Sequence, residues 1–141
     1  MGVIGAPARA VRFAGYASVF HHRDRGGDVV TPGAFRQSLK RNQKVPLLWQ
    51  HQPGKVIGTI ERLAEDERGL QVIGRLHDDA FGRALGRELN RGTLSGLSFG
   101  YRVAAARQVT GHRALDAVEI LEISLVRNPM QPLARVHRTA E

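Results

Sequence analysis

A histidine and a serine stand out in this chain as residues that could perform nucleophilic chemistry. His51 follows the largely apolar run 45–50, and Ser98 lies between large apolar residues that are bracketed by Gly96 and Gly100. A serine hydroxyl is a weak nucleophile until a nearby base takes its proton and a third group orients that base. The two glycines suit an oxyanion hole as well as a bulge or a close backbone approach. Attack on a carbonyl is the chemistry that this pair would perform.

The third group of such a site has two candidates, and the nucleophile has an alternative. Glu119 and Glu122 lie in the β-prone run 118–126. Because they are three positions apart, their side chains point to opposite faces of a regular strand, so at most one of them faces inward. Ser95 precedes Ser98 by three residues, so the two serines also face opposite ways in a strand. Structural roles compete with each assignment, because a serine in a strand usually bonds to backbone. The residues alone therefore support a soluble α+β domain with a candidate Ser–His site.

Strand patterns dominate the elements that must position these residues. Candidate strands lie at residues 10–20, 45–50, 55–63, 70–76, 97–106 and 114–126. One helix is predicted over 31–40, with Thr31 as its N-cap, and a second over 80–91, with an aspartate before it and Gly92 as its terminator. Six or seven strands with two helices, and no strand–helix alternation, indicate an α+β or barrel-like, mainly β domain.

The composition narrows the class of protein. The chain has 141 residues, 42% of them hydrophobic, which suits one domain with its own core. The absence of cysteine excludes a thiol nucleophile, a disulfide framework and a cysteine-ligated metal. No apolar run approaches the roughly 20 residues of a membrane helix, and the first residues lack a signal-peptide pattern. We therefore expect a soluble, intracellular protein with no metal and no cofactor.

The charge is strongly basic. Lys and Arg total 21 against 13 Asp and Glu, a formal net charge of +8. The positive electrostatic potential of such a charge attracts anionic partners, either nucleic acid or an acidic protein segment. The basic residues are scattered except in 36–44, which has no interleaved aromatic platform and indicates a solvated surface. Any contact with nucleic acid is therefore expected to be non-specific.

Eight short segments occur in a fixed order along the chain. They are residues 15–20 (GYASVF), 27–30 (GDVV), 32–35 (PGAF), 48–51 (LWQH), 57–58 (IG), 69–70 (GL), 96–101 (GLSFGY) and 122–126 (EISLV). Together they resemble the prohead (capsid-maturation) protease family of tailed phages, and the resemblance runs from about Gly15 to Pro132 without a large gap. A domain from a phage-derived gene-transfer particle would carry the same segments.

The resemblance implies a fold and a domain organisation. The family is similar to the herpesvirus assembly proteases, which implies a β-barrel of about six or seven strands with two or more covering helices. It also implies a single protease domain over residues 1–141, with a core at about 10–132 and a polar C-terminal tail at 133–141. This agrees with the strand patterns read directly from the sequence.

The resemblance also implies roles for the candidate site residues. The family's nucleophile falls on Ser98 and its base on His51, while Ser95 remains the alternative nucleophile. Glu122 is the expected third member of the triad, with Glu119 as the reserve.

An arginine follows the expected third member. The related viral enzymes use an arginine after that member to help bind the oxyanion, which makes Arg127 a candidate for the same role. The chain departs from the family here, because a small or polar residue and then proline usually follow the EISLV-like stretch, whereas Arg127-Asn128-Pro129 follow it in this chain.

The function implied is that of a serine endopeptidase of capsid maturation. Members of the family cleave the scaffold portion of the major capsid protein, and commonly themselves, inside an immature capsid in the host cytoplasm. An acidic scaffold segment would suit the net charge, and the related viral enzymes are dimers, so a homo-oligomer is a further expectation. The alternative is a basic, non-catalytic protein of capsid assembly, packaging or nucleic-acid binding on the same fold.

Overall fold

The computed structural model describes residues 10–41 and 43–140, which form eight strands and two helices. In chain order these are β1 (Arg12–Val19), β2 (Asp28–Val30), α1 (Arg36–Lys40), β3 (Leu47–Trp49), β4 (Gln52–Glu65), β5 (Gly69–Leu76), α2 (Ala80–Arg91), β6 (Gly96–Val109), β7 (His112–Val126) and β8 (Val136–Ala140). Strands dominate, so the predicted fold class is confirmed. Within the described ranges, neither helix has the length and apolar character needed to span a membrane.

The long strand β7 organises the sheet. β6 pairs with it antiparallel along almost its whole length. On the other edge of β7, β2 pairs in parallel with residues 113–115 and β3 pairs in parallel with residues 123–125. β4, β5, β1 and β8 then follow β3, each antiparallel to its neighbour. β3 and β6 therefore flank the same end of β7, which brings the ends of three strands together.

The sheet is not closed into the barrel that the resemblance implied. Its hydrogen-bonded path ends at β2 and β8, and β6 branches from β7. An isolated bridge between Gly96 and Arg135 connects the start of β6 to the segment before β8. The chain between β7 and β8 contains Pro129 and Pro132 and runs as turns, and prolines cannot donate the N–H groups that a continuous ladder needs.

Two strands lie where the sequence pattern predicts none. β2 has three residues, and β8 occupies much of the segment 133–141 that the sequence predicts to be a polar tail. β8 pairs with β1 through its backbone, with Phe13 opposite Thr139. Backbone pairing requires no apolar side chains, so no hydrophobic alternation marks this strand. Glu141 lies outside the described residues.

Helix α2 follows its sequence signals, whereas α1 does not. Asp79 caps α2 by accepting the N–H of Gly82 at 2.7 Å, and Gly92 ends it in the left-handed conformation, with φ of 78°. Helix α1 has only five residues and begins after the predicted start. The Thr31 hydroxyl instead donates to Asp116 of β7 at 2.8 Å. Turns therefore replace the first half of the predicted helix.

The hydrophobic core sets which residues of β6 and β7 face the site. Leu97, Ile123 and Leu125 are completely buried. Because side chains alternate along a strand, Ser98 and Ser124 face the other side of the same strand pair. A slip of one residue would exchange these faces, so burial of the three apolar side chains fixes the register of the two serines.

Candidate active site

His51 lies in a strained two-residue turn between β3 and β4. Gln50 and His51 have φ values of 53° and 59°, a combination that is typical of type I′ hairpin turns and usually requires asparagine or glycine. The turn is anchored to β7, because the Gln50 N–H donates to the Leu125 carbonyl at 3.0 Å and the His51 N–H donates to Ser124 Oγ at 3.1 Å. Positive φ at non-glycine residues is typical of functional sites, where the surrounding contacts hold the strain in place.

Ser98 lies next to this turn. It is directly opposite Ser124 in the β6–β7 ladder, and Ser124 is the residue that binds the backbone of His51. Ser98 is 5% exposed, and it lines one pocket together with His51. The predicted base and nucleophile therefore share a cavity although 46 other residues separate them in the sequence.

Glu122 completes the group. Its carboxylate contacts Nδ1 of His51, and its other oxygen accepts a hydrogen bond of 2.6 Å from the Ser124 hydroxyl. The Glu122 side chain is 14% exposed, against 43% for His51, so the carboxylate lies behind the imidazole. With Nδ1 facing Glu122, Nε2 is the imidazole nitrogen left for a proton transfer to or from a serine.

Gly100 makes room for this carboxylate. It pairs with Glu122 across the ladder, and a Cβ atom at position 100 would overlap the Glu122 carboxylate oxygen and lie 3.0 Å from its Cδ. Gly96 is similarly crowded, since a Cβ there would meet the Val126 carbonyl oxygen and lie 3.0 Å from Pro129 Cδ. Among the roles considered for the two glycines, namely an oxyanion hole, a bulge or a close approach of neighbouring atoms, the close approach therefore explains both.

The pocket that contains Ser98 and His51 has a volume of about 230 Å³. Its other lining residues are Ala17, Ser18, Asp24, Asp28, Val30, Phe99, Gly100, Tyr101, Met130 and Gln131. Two hydrogen bonds of 2.9 Å from Arg113 hold the pKa of Asp28 below its usual value. Burial, followed by the charges of Asp24 and Asp28, raises the pKa of the Tyr101 hydroxyl. The pocket lining thus combines apolar residues with two carboxylates.

Ser95 and Glu119, the alternative site residues, lie elsewhere. Ser95 Oγ accepts a hydrogen bond of 3.0 Å from Arg135, and Ser95 does not line the pocket. Glu119 forms ion pairs with Arg41 and Arg102 at 3.0 and 3.1 Å. The structure therefore brings Ser98 and Glu122 to His51 and leaves both alternatives outside the group.

Arg127 does not reach the pocket either. Its guanidinium donates two hydrogen bonds to Glu88 of α2, at 2.8 and 2.9 Å, and lies over the Trp49 ring at 5.4 Å from the centroid. Its backbone N–H donates to the Gln50 side chain at 2.7 Å. Both donors that an oxyanion role would require are thus bound to other residues, and the backbone one secures the turn that carries His51.

Ser124 is a site residue that sequence reasoning missed. It is completely buried and joins the backbone of His51 to the carboxylate of Glu122. The signal was present in its spacing, because residues 122 and 124 share a strand face. A serine beside candidate residues on one strand face could have been tested as a bridging group.

The fold is similar to that of two solved viral proteases. The structure is similar to KSHV protease, solved with a hexapeptide phosphonate inhibitor, with a TM-score of 0.66 and 13% identity over 94% of this chain and 66% of that one. It is also similar to the bacteriophage T4 capsid assembly protease, with a TM-score of 0.69 and 12% identity over 84% of this chain and 82% of that one. At these identities the likeness establishes the fold.

The chain belongs to the caudovirus prohead serine protease family, whose sequence profile matches residues 5–141. It is 41% identical over 95 residues to the prohead protease of Enterobacteria phage HK97. That match covers 65% of this chain and 42% of the phage protein, so the chain corresponds to less than half of its relative. The predicted family is therefore confirmed.

Proposed function

We propose that this chain is a serine endopeptidase domain that cleaves the scaffold portion of a major capsid protein during prohead maturation. The observation that carries the proposal is the contact of Glu122 with His51, in a pocket that His51 shares with Ser98. Membership of the prohead serine protease family supports the same reaction. The proposed catalytic residues are Ser98, His51 and Glu122.

Each residue has a distinct role in the proposed reaction. Ser98 attacks the peptide carbonyl while Nε2 of His51 takes its proton, and the same nitrogen then protonates the leaving amine. Glu122 fixes the proton of the imidazole on Nδ1 and stabilises its cationic form. Ser124, which binds both His51 and Glu122, is a positioning residue. Water then attacks the acyl-enzyme while His51 takes its proton, and His51 passes that proton to Ser98 as the acid product leaves, so water is the only co-reactant.

The substrate and its location are further parts of the proposal. A net charge of +8 would attract an acidic scaffold segment and concentrate the enzyme inside the immature capsid of a host cell. Binding of the scaffold should then weaken as salt rises from about 0.05 to 0.5 M, because screening lengths shorten over this range. Salt-independent binding would count against the charge argument. We also propose self-cleavage and a homo-oligomer, by analogy with the family.

The non-catalytic alternative has less support. Among residues 10–41 and 43–140, eight arginines form ion pairs with carboxylates, namely Arg12, Arg41, Arg75, Arg83, Arg102, Arg107, Arg113 and Arg127. These pairs neutralise part of the basic surface, whereas a nucleic-acid site normally concentrates unpaired positive charge beside aromatic platforms. A docking protein would also have no use for the contact of Glu122 with His51 in a pocket that contains Ser98.

Co-expression with a major capsid protein that carries its scaffold segment tests the proposal. Wild type, Ser98→Ala and Ser95→Ala would each be co-expressed with that protein, and the products measured by intact mass. We expect shortening of the capsid protein by wild type and Ser95→Ala, and none by Ser98→Ala. An uncut capsid protein and an uncut enzyme with wild type would overturn the proposed reaction. Activity in Ser98→Ala but not in Ser95→Ala would reverse the nucleophile assignment.

A further inference from the structure

The pocket beside Ser98 differs in charge from the rest of the molecule. Two carboxylates, Asp24 and Asp28, line it, and neither a lysine nor an arginine does so among the described residues. This contrasts with a chain in which Lys and Arg outnumber Asp and Glu by 21 to 13. The negative charge is therefore concentrated locally at the proposed site of peptide cleavage.

Asp24 supplies the uncompensated charge. Arg113 balances Asp28 through a two-point ion pair, whereas Asp24 forms no ion pair with any residue in the described part of the chain. One Asp24 oxygen, Oδ1, accepts the N–H groups of Gly26 and Asp28 at 2.8 and 2.9 Å, which leaves Oδ2 as an acceptor. The raised pKa of Tyr101 is consistent with this, since Asp24 contributes to it.

A second observation on the same pocket comes from Ser18. This residue is 1% exposed and lines the pocket, and its hydroxyl has no hydrogen-bond partner among the described residues. The register of β1 shifts between Tyr16 and Ser18, so consecutive residues 17–19 are all buried rather than alternating. Bulges of this type re-aim side chains near active sites. Burial of an unpaired hydroxyl is unfavourable, so Ser18 Oγ is available to a hydrogen-bond donor that enters the pocket.

We propose that this pocket is a specificity subsite for a cationic substrate side chain, lysine or arginine, next to the scissile peptide bond. The inference rests on the proposed peptidase function. Oδ2 of Asp24 accepts a hydrogen bond from the ammonium or guanidinium, and Ser18 Oγ accepts a second. Ala17, Val30 and Phe99 line the methylene stem, which packs against apolar surface while its charged head reaches polar groups. A volume of about 230 Å³ suits one side chain.

Cleavage of a peptide library tests this subsite. Peptides produced from a proteome by a glutamate-specific protease retain internal lysines and arginines, and cut sites can be mapped by mass spectrometry. Synthetic peptides with Lys, Gln or Glu at the mapped position then give kcat/KM for wild type, Asp24→Asn and Ser18→Ala. Asp24→Asn keeps the Oδ1 acceptor of the turn and replaces Oδ2 by an amide nitrogen, which removes both the charge and the acceptor for the substrate. Asp78→Asn, which changes an exposed carboxylate paired with Arg83, is the matched control.

We expect wild type and Asp78→Asn to prefer Lys over Gln by at least about tenfold, the effect of about 1.4 kcal/mol of selective binding. Asp24→Asn should lose most of this preference through KM while still cleaving the Gln peptide, and Ser18→Ala should lose part of it. Cut sites without a flanking basic residue, or an unchanged preference in Asp24→Asn, would overturn the subsite and leave the peptidase proposal standing. Failure of wild type to cleave any peptide, together with no labelling of Ser98 by a fluorophosphonate, would overturn both.

Discussion

The Ser124 hydroxyl accepts the backbone N–H of His51 at 3.1 Å and thereby ties the proposed base to the strand opposite the proposed nucleophile. The same hydroxyl donates to Glu122 at 2.6 Å. One buried side chain on β7 therefore sets the position of the turn and of the carboxylate behind the imidazole. Ser98 lies opposite Ser124 in the β6–β7 ladder. Ser124 therefore lies next to all three proposed catalytic residues.

Replacement of Ser124 by alanine should reduce kcat with little change in KM. The substitution removes one hydrogen bond to the Glu122 carboxylate and one from the turn. Hydrogen bonds to charged groups contribute roughly 1.5–3 kcal/mol, so the expected loss of kcat is about 10- to 100-fold. Steady-state kinetics on a peptide substrate measures it. A normal kcat in a folded Ser124→Ala enzyme would contradict the bridging role.

Introduction of a Cβ at position 100 should displace the Glu122 carboxylate. Gly100→Ala places a methyl group where a Glu122 oxygen lies, and misplacement of a catalytic group by about 1 Å can cost on the order of 100-fold in rate. The matched control is Gly54→Ala, because a Cβ there meets nothing within 4 Å. We expect normal kinetics for the control. Equal activity of the two variants would show that Glu122 does not need its observed position.

Substitution of Glu122 should lower the rate of cleavage far more than substitution of Glu119, the other glutamate of β7. Glu122→Gln retains the shape of the side chain but removes the charge that fixes the imidazole tautomer, and the equivalent change in a serine-protease triad lowers kcat by about 10⁴-fold. Glu119→Gln breaks only the exposed pairs with Arg41 and Arg102, each contributing about 0–1 kcal/mol to stability. Cleavage should therefore persist in Glu119→Gln. The opposite pattern would make Glu119 the third member.

Arg127→Ala should leave turnover largely intact and lower thermal stability. Its guanidinium joins α2 to the end of β7 through Glu88, and the same pair lowers the pKa of Glu88. The backbone N–H that holds the Gln50 side chain is retained in the variant. Kinetics and a melting curve on one sample distinguish the two effects. A large loss of kcat at unchanged Tm would restore the oxyanion role for this side chain.

Acid should destabilise the fold partly through Asp116. Hydrogen bonds from Arg107 and from Thr31 lower its pKa to about 2, below the roughly 3.9 expected for an unfolded aspartate. A lowered folded-state pKa adds stability above about pH 4 and loses it as the pH falls towards 2. The Tm difference between wild type and Asp116→Asn should therefore shrink over this interval. A difference that is constant from pH 7 to pH 2 would contradict the prediction.

Local signals along the chain predicted much of the fold. Asp79 and Gly92 delimit α2 because capping and left-handed termination depend on neighbouring residues alone. Thr31 and Pro32 are equally favourable residues for the start of a helix. The Thr31 hydroxyl nevertheless donates to Asp116, and the residues that follow form turns instead of a helix. β8 was missed because its pairing with β1 is a backbone interaction over more than 120 residues of sequence, which no side-chain pattern records.

The sequence by itself determined the types of residue available for chemistry, the apolar alternation of the long strands and the family to which the chain belongs. The family resemblance predicted Ser98, His51 and Glu122 from the order of short segments along the chain, with Ser95 and Glu119 as alternatives. Only the tertiary structure shows that Ser98 and Glu122, rather than Ser95 and Glu119, lie beside His51. Alternation along a strand shows which residues share a face, but it does not show which of the two faces is buried. That depends on which face is covered by parts of the chain that are distant in sequence. Burial of Leu97, Ile123 and Leu125 makes that choice, and it thereby turns Ser98, Ser124 and Glu122 towards the loop that carries His51.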